Sequence, residues 1–156
     1  KRNSVKWFFR GILVKRKLEP DKNKAESLKN MAEITLERLD KTDKANYPSN
    51  TLIDYYDIMH KILEAISLME GTKVKGEGAH QELIDYICKK YKIEEQKRQF
   101  LQQLRDYRNM ISYEGFSVNK EYIVNNQEFI KNLIDRLFEI LNIELDKEVE
   151  NDQEEN

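Results

Sequence analysis

Within the short stretch QQLRDYRNMISYEGF stand Arg105, Asp106, Arg108, Asn109, Ser112 and Tyr113. Two guanidinium groups can grip a phosphate or carboxylate through paired N–H donors. A carboxylate, an amide, a hydroxyl and a phenol beside them supply the further polar contacts of a binding site. With a proton carrier tuned near neutral pH, the same set could cleave a phosphodiester. The spacing says which of these groups share a face. At about 100° per residue, Phe100, Leu104, Tyr107 and Ile111 form one apolar stripe of a helix. Arg105 and Ser112 project almost together on the flank of that stripe, and Arg108 projects between them and the core. Asp106 and Tyr113 point to another side. Packing alone does not call for two arginines beside an apolar face. A groove for phosphate or a subunit interface explains them better, although cations near a helix C-terminus also suit its dipole.

Other reactive side chains are few. The only histidines are His60 and His80. His60 lies inside a helical segment next to Met59 and reads as a packed structural residue. His80 follows a glycine-containing loop and either caps a helix or faces a groove. A metal site needs three or more close ligands, and no spacing here supplies them, so no metal or cofactor is expected. Neither a Ser-His-Asp nor a Cys-His unit is supported. Cys88, the sole cysteine, sits in LIDYICKKY and reads as a structural thiol. A single cysteine allows no internal disulfide and points to a reducing compartment, hence the cytoplasm.

These residues must be positioned by helices. Glycine and proline are scarce and fall mostly between periodic segments. Six helical segments are expected. The first covers roughly 3–17, SVKWFFRGILVKRK, and docks on the bundle, with a membrane-surface segment as the alternative for this basic, aromatic stretch. The second runs from Asp21 to about Lys41, with the stripe Leu28, Met31, Ala32, Thr35, Leu36 and Leu39. The third opens at Ser49 as N-cap after Pro48 and closes at Gly71. Its wide apolar face (Leu52, Ile53, Tyr56, Met59, Ile62, Leu63, Ile66, Met69) marks the central, most buried helix. TKVKGEGAH reads as a mobile loop; no Gly-Lys-Ser/Thr follows it, which excludes a P-loop. The remaining helices cover about 79–91, 94–113 and 120–145, the last with Phe129, Ile130, Leu133, Ile134, Leu137, Phe138, Ile140 and Leu141.

The expected fold class is all-α: one up-and-down bundle of five to six helices over residues 1–145. An acidic, disordered tail is expected over 146–156. At 39% hydrophobic and 36% charged residues, the chain has enough apolar material for one core and a heavily charged surface. A net charge of -2 argues against unspecific nucleic-acid binding by charge alone. The ends differ, however: residues 1–18 are basic without an acid, and residues 139–156 are strongly acidic. They are two solvated ends, or a basic patch and an acidic tail that competes with RNA. No apolar run reaches the ~20 residues of a membrane span.

Taken in order, LIDYYDIMHKILEAISLMEG, GAHQELIDYI and LRDYRNMISYEG resemble the HEPN superfamily (higher eukaryote and prokaryote nucleotide-binding domains). The start, VKWFFRGI followed by PDKNKAESLKNMAEITLERL, is similar to archaeal and bacterial members. The resemblance covers most of residues 5–142. It implies a helical bundle, usually dimeric, often a toxin or metal-independent ribonuclease paired with a nucleotidyltransferase antitoxin. The hallmark is an Arg followed after four to six residues by a His, at a groove between two subunits. Here Arg105 reaches Ser112 after six residues and Arg108 reaches Tyr113 after four, so neither position is His. The resemblance thus implies a homodimeric module with a degenerate ribonuclease motif, binding nucleotide, RNA or a partner protein. Arg105, Ser112 and Tyr113 would stand at the catalytic positions, and Arg108, Asn109, Asp106 and His80 would bind. Two alternatives stand beside it. One is an active ribonuclease toxin, in which Arg105 stabilises the phosphorane-like charge and Tyr113, Ser112 or a remote His (His60 or His80, brought to the groove) handles protons. The other is a plain helical interaction domain, whose arginines pair with acids such as Asp135, Glu139 and Glu144.

Overall fold

A computed structural model of the chain describes the backbone of residues 8–10 and 13–154 and the side chains of residues 18–147. Helix α1 (Lys22–Asp40) starts where Asp21 accepts a hydrogen bond from the Lys24 backbone N–H at 3.0 Å, satisfying one donor of the first turn. Helix α2 (Pro48–Met69) has proline in its first turn, where the missing N–H costs nothing. Ser49 does not cap it. Tyr47 is the N-cap residue, and the Ser49 hydroxyl accepts from Val118 N–H at 3.1 Å, tying the start of α2 to a distant connection. Gly71 ends α2 with φ 65°, and Leu18 N–H donates to its carbonyl. A methyl group at Gly71 would collide with the Leu18 carbonyl oxygen, so both backbone angle and space require glycine there.

Helices α3 (Ala79–Lys90), α4 (Glu95–Glu114) and α5 (Lys120–Glu154) complete an all-α bundle. Helix α2 is its hub, packed against α1, α5, α4 and α3. Leu52, Tyr56, Met59, Ile62, Leu63, Ile66 and Met69 are all buried, as the wide apolar face predicts. Ile130, Leu133, Ile134, Leu137, Ile140 and Leu141 of α5 close the core from the other side. Each fully buried aliphatic side chain contributes roughly 1.5–3 kcal/mol of transfer free energy, so this face holds the bundle together.

Four further local expectations need correction. The segment read as a first helix over 3–17 contains, where described, strands β1 (Phe8–Arg10) and β2 (Leu13–Lys17); its other residues lie outside the described ones. Likewise, the supposed loop opens with strand β3 (Thr72–Lys75). The strands form an antiparallel sheet in the order β1-β2-β3, with Lys15 opposite Val74. Aromatic and β-branched residues suit a pleated surface, and the partner that stabilises β2 lies far along the chain, beyond the reach of local periodicity. Met31, placed in the α1 stripe, is 51% exposed, while Ala25, Ala32 and Leu39 make the buried contacts. Small alanines let α1 lie close to α2, which narrows the buried stripe and leaves Met31 outside it. Helix α5 also continues to Glu154, because neither Gly nor Pro interrupts it between Lys120 and the acidic end.

Candidate phosphate-binding site

Helix α2 carries a second stripe beside its apolar one. Tyr56, His60 and Glu64 follow each other at intervals of four residues, and Ser67 comes three later, so all four share a face. Opposite them, β3 and the turn through Gly76 and Gly78 deliver the start of α3, which brings His80 over α2. The two imidazole rings lie with centroids 4.0 Å apart and tilted by 34°. Tyr56 sits beneath, 5.9 Å from the His60 ring and 6.4 Å from the His80 ring. Its hydroxyl is 3.2 Å from His80 Nδ1. Helix α4 brings Arg108 to within 3.8 Å of Asp57, next to Tyr56 on α2, and places both Arg105 and Arg108 within electrostatic range of Tyr56 and His80.

The environment sets the protonation states. Burial, then the positive charges of Arg105 and Arg108, holds His80 below the ordinary histidine value against the opposing pull of Glu64 and Asp57. His60 is lowered to about 4, chiefly by burial, then by His80, Lys61 and Arg108. Both rings are therefore neutral at pH 7. The His60 Nδ1 to Glu64 contact of 4.0 Å is for that reason not an ion pair at neutral pH. Burial pushes the Tyr56 phenol up to about 12, although the arginines pull it down. A buried phenol needs a partner for its O–H. Assigning the Tyr56 O–H as donor to His80 Nδ1, the partner at 3.2 Å, places the His80 proton on Nε2. Because His80 is surface-exposed, its outer edge offers solvent an N–H donor.

The arginines are only partly occupied. Arg105 donates from Nε to Gln102 at 2.9 Å and from Nη2 to Asp106 at 2.7 Å, and its side chain is 17% exposed. Arg108 approaches Asp57 at 3.8 Å, too far for a hydrogen bond, and its Nε is buried without a partner. Native structures rarely leave a buried donor unused, and each such group costs about 1–3 kcal/mol. The charges of Arg105 and Arg108 are balanced by Asp57 and Asp106. The site thus offers an anion directed donors more than net positive charge.

Of the residues singled out from the sequence, Arg105, Arg108 and His80 come together. Asp106 joins them through Arg105 while remaining 58% exposed. Asn109 is half-buried and makes no side-chain hydrogen bond among the described residues. Ser112 and Tyr113 are not brought in: both are exposed, Tyr113 at 78%, so nothing packs over the end of the ridge that spacing assigned to Ser112. The acids proposed as partners are engaged elsewhere or stand apart. Glu139 pairs with Arg136 at 3.3 Å and Glu144 with Lys147 at 3.0 Å, and Asp135 meets neither arginine. Sequence reasoning missed Tyr56, Asp57 and Glu64, although a polar stripe at four-residue spacing in the most apolar helix was a visible signal. His60, read as structural, forms the floor of the cluster. Cys88 is buried and burial pushes its thiol up to about 12, as a structural thiol requires. Among the described residues no group of His, Cys, Asp and Glu is arranged to hold a metal ion, and no helix is long and apolar enough to cross a membrane. No family model, no curated protein and no solved structure matches the chain.

Proposed function

We propose that this chain is an HEPN-like domain that binds a phosphate group of a nucleotide or RNA, as the binding module of a toxin–antitoxin type pair. One observation carries the reading: Arg108, whose Nε has no hydrogen bond and only a 3.8 Å approach to Asp57, acts electrostatically on a neutral, exposed His80. A phosphate oxygen accepts from guanidinium and imidazole N–H groups at once, and charge-assisted bonds of this kind are about twice as strong as neutral ones. Homodimerisation, a nucleotidyltransferase antitoxin as partner and a cytoplasmic location belong to the same proposal and follow from the resemblance.

A second reading, a metal-independent ribonuclease, is favoured by the two imidazoles next to the arginines. It asks for a base that takes the proton of a ribose hydroxyl. The tautomer selected by Tyr56 keeps His80 Nε2 protonated, which makes that nitrogen a donor and not a base. Binding without cleavage is therefore preferred. The test is Arg105→Ala and Arg108→Ala, measured for binding of a short single-stranded RNA and for its integrity. Binding is expected to weaken about tenfold for each variant, with the RNA intact in every sample. RNA cleavage that disappears in both variants would replace the binder with the enzyme. A monomeric chain with no affinity for RNA or nucleotides would remove both.

A further inference from the structure

Against the histidine pair, and with neither arginine in its lining, lies a cavity of about 140 Å³. Helices α1, α2 and α3 and strand β3 form its walls. His60 and His80 line it together with Lys24, Lys73, Thr72 and Glu64. On the bulk-water share of ~30 Å³ this is room for roughly four to five waters, too much for a packing defect and enough for a phosphate group. Its polar chemistry is one-sided. Lys24 at the start of α1 and Lys73 of β3 come from elements far apart in sequence, yet both line the cavity. Neither is ion-paired among the described residues, so both charges are available to a ligand. Glu64 is the one acid of the lining. Its side chain is 40% exposed and faces a neutral His60, so its charge offsets one of the two lysines and leaves the lining with a net single positive charge.

We infer that this cavity is a second anion subsite, and that with the Arg105–Arg108 edge it forms a track for successive phosphates of a single-stranded RNA, His80 standing between the two. The inference rests on the phosphate-binding reading and extends it from one phosphate to a strand. Two anion sites flanking one exposed imidazole ask for a ligand with regularly spaced negative groups on a flexible backbone. A single strand can bend into a recessed pocket of this size, and a duplex cannot. The near balance of charge around the arginines gives the lysines a distinct role. They supply long-range attraction, and the arginines supply directed hydrogen bonds.

The experiment uses the full chain and a fluorescent single-stranded RNA, with affinity measured across a salt series for three forms: the unaltered chain, Lys24→Ala/Lys73→Ala and Arg105→Ala/Arg108→Ala. Each neutralised phosphate contributes about 0.7 to the slope of log affinity against log salt for a single strand. The lysine variant is expected to lose about 1.4 of that slope and to bind roughly tenfold more weakly at low salt. Lys24 is exposed and Lys73 half-exposed, so the variant should keep the helical circular dichroism of the unaltered chain. An unchanged slope in the lysine variant, with binding lost in the arginine variant, overturns the second subsite and leaves the first reading standing. Absence of RNA binding by the unaltered chain overturns both. Equal affinity for a duplex of the same length overturns the single-strand assignment.

Discussion

Glu70 and Arg108 each set a full charge against the central helix α2, and the surroundings treat them in opposite ways. Glu70 stands at the C-cap of α2 with its side chain only 3% exposed, and it adds negative charge where the helix dipole is already negative. Every demand of that carboxylate is met. It accepts from Tyr86 at 2.9 Å, from Tyr91, and from Lys90 Nζ at 2.8 Å. Burial and the bond to Glu70 hold the Tyr91 phenol well above its ordinary range, which keeps its proton on the donor side. About four turns earlier, Arg108 has a carboxylate at 3.8 Å and a buried donor with nothing to bond. A satisfied polar cluster fastens α3 to the end of α2. An unsatisfied one, beside two neutral imidazoles, is a place where a ligand completes the bonding. Saturation distinguishes scaffold from site here, and burial or charge taken singly does not.

The contrast breaks most visibly at Glu70. Glu70→Ala should cost roughly 3 kcal/mol in urea unfolding, since three hydrogen bonds to one buried carboxylate are lost together. RNA affinity should stay unchanged, and Glu70→Gln should fall between the two. A loss below about 1 kcal/mol would show that saturation does not stabilise this end of α2.

A second effect, of similar size, separates the histidine cluster by pH. His60 is lowered from 6.5 to about 4 in the folded chain. Above pH 6.5 it is neutral folded and unfolded, and contributes nothing to the pH dependence. As the pH falls from 6.5 towards 4, the unfolded chain takes up the proton and the folded chain does not, so stability falls with the pH. The loss is on the order of 3 kcal/mol by the lower end of that window. Tyr56, His80 and Glu64 face the same ring, and the charges of Lys61 and Arg108 add to its lowering. His60→Gln should flatten the dependence of urea midpoint on pH between 6.5 and 4. An equally steep profile in the variant would mean that the acid sensitivity lies elsewhere.

The smallest effect sharpens the boundary of the site. Ser112→Ala and Tyr113→Ala should change stability by no more than about 0.5 kcal/mol, because both side chains are exposed. RNA affinity, read in the same titration, should also be unaffected. A tenfold drop in either variant would extend the site along α4 to the positions that the family motif marks.

Much of the scaffold was legible without coordinates. The α2 stripe, the stop at Gly71, the extent of α4, which ends at the left-handed Gly115, and the apolar face of α5 are local patterns, and local hydrogen bonding with a 3.6-residue period makes them readable. Arg105 and Arg108 were identified from the same periodicity, because a charge beside an apolar stripe is visible in one dimension. The failures share one cause. Strand β2 is held by β3, and Arg108 meets Asp57 of α2 while both arginines act electrostatically on Tyr56 and His80, so each depends on an arrangement distant in sequence.

The sequence by itself determined that the chain is helical, which helix is central, and that α4 carries two arginines where a core does not need them. Only the tertiary structure decided that the histidines lie with those arginines, that Ser112 does not, and that Lys24 and Lys73 open onto the same pair of rings. Helix periodicity settles which way a side chain points around its own axis. What stands opposite depends on how the helices and strands pack, and that follows from burying the whole core at once.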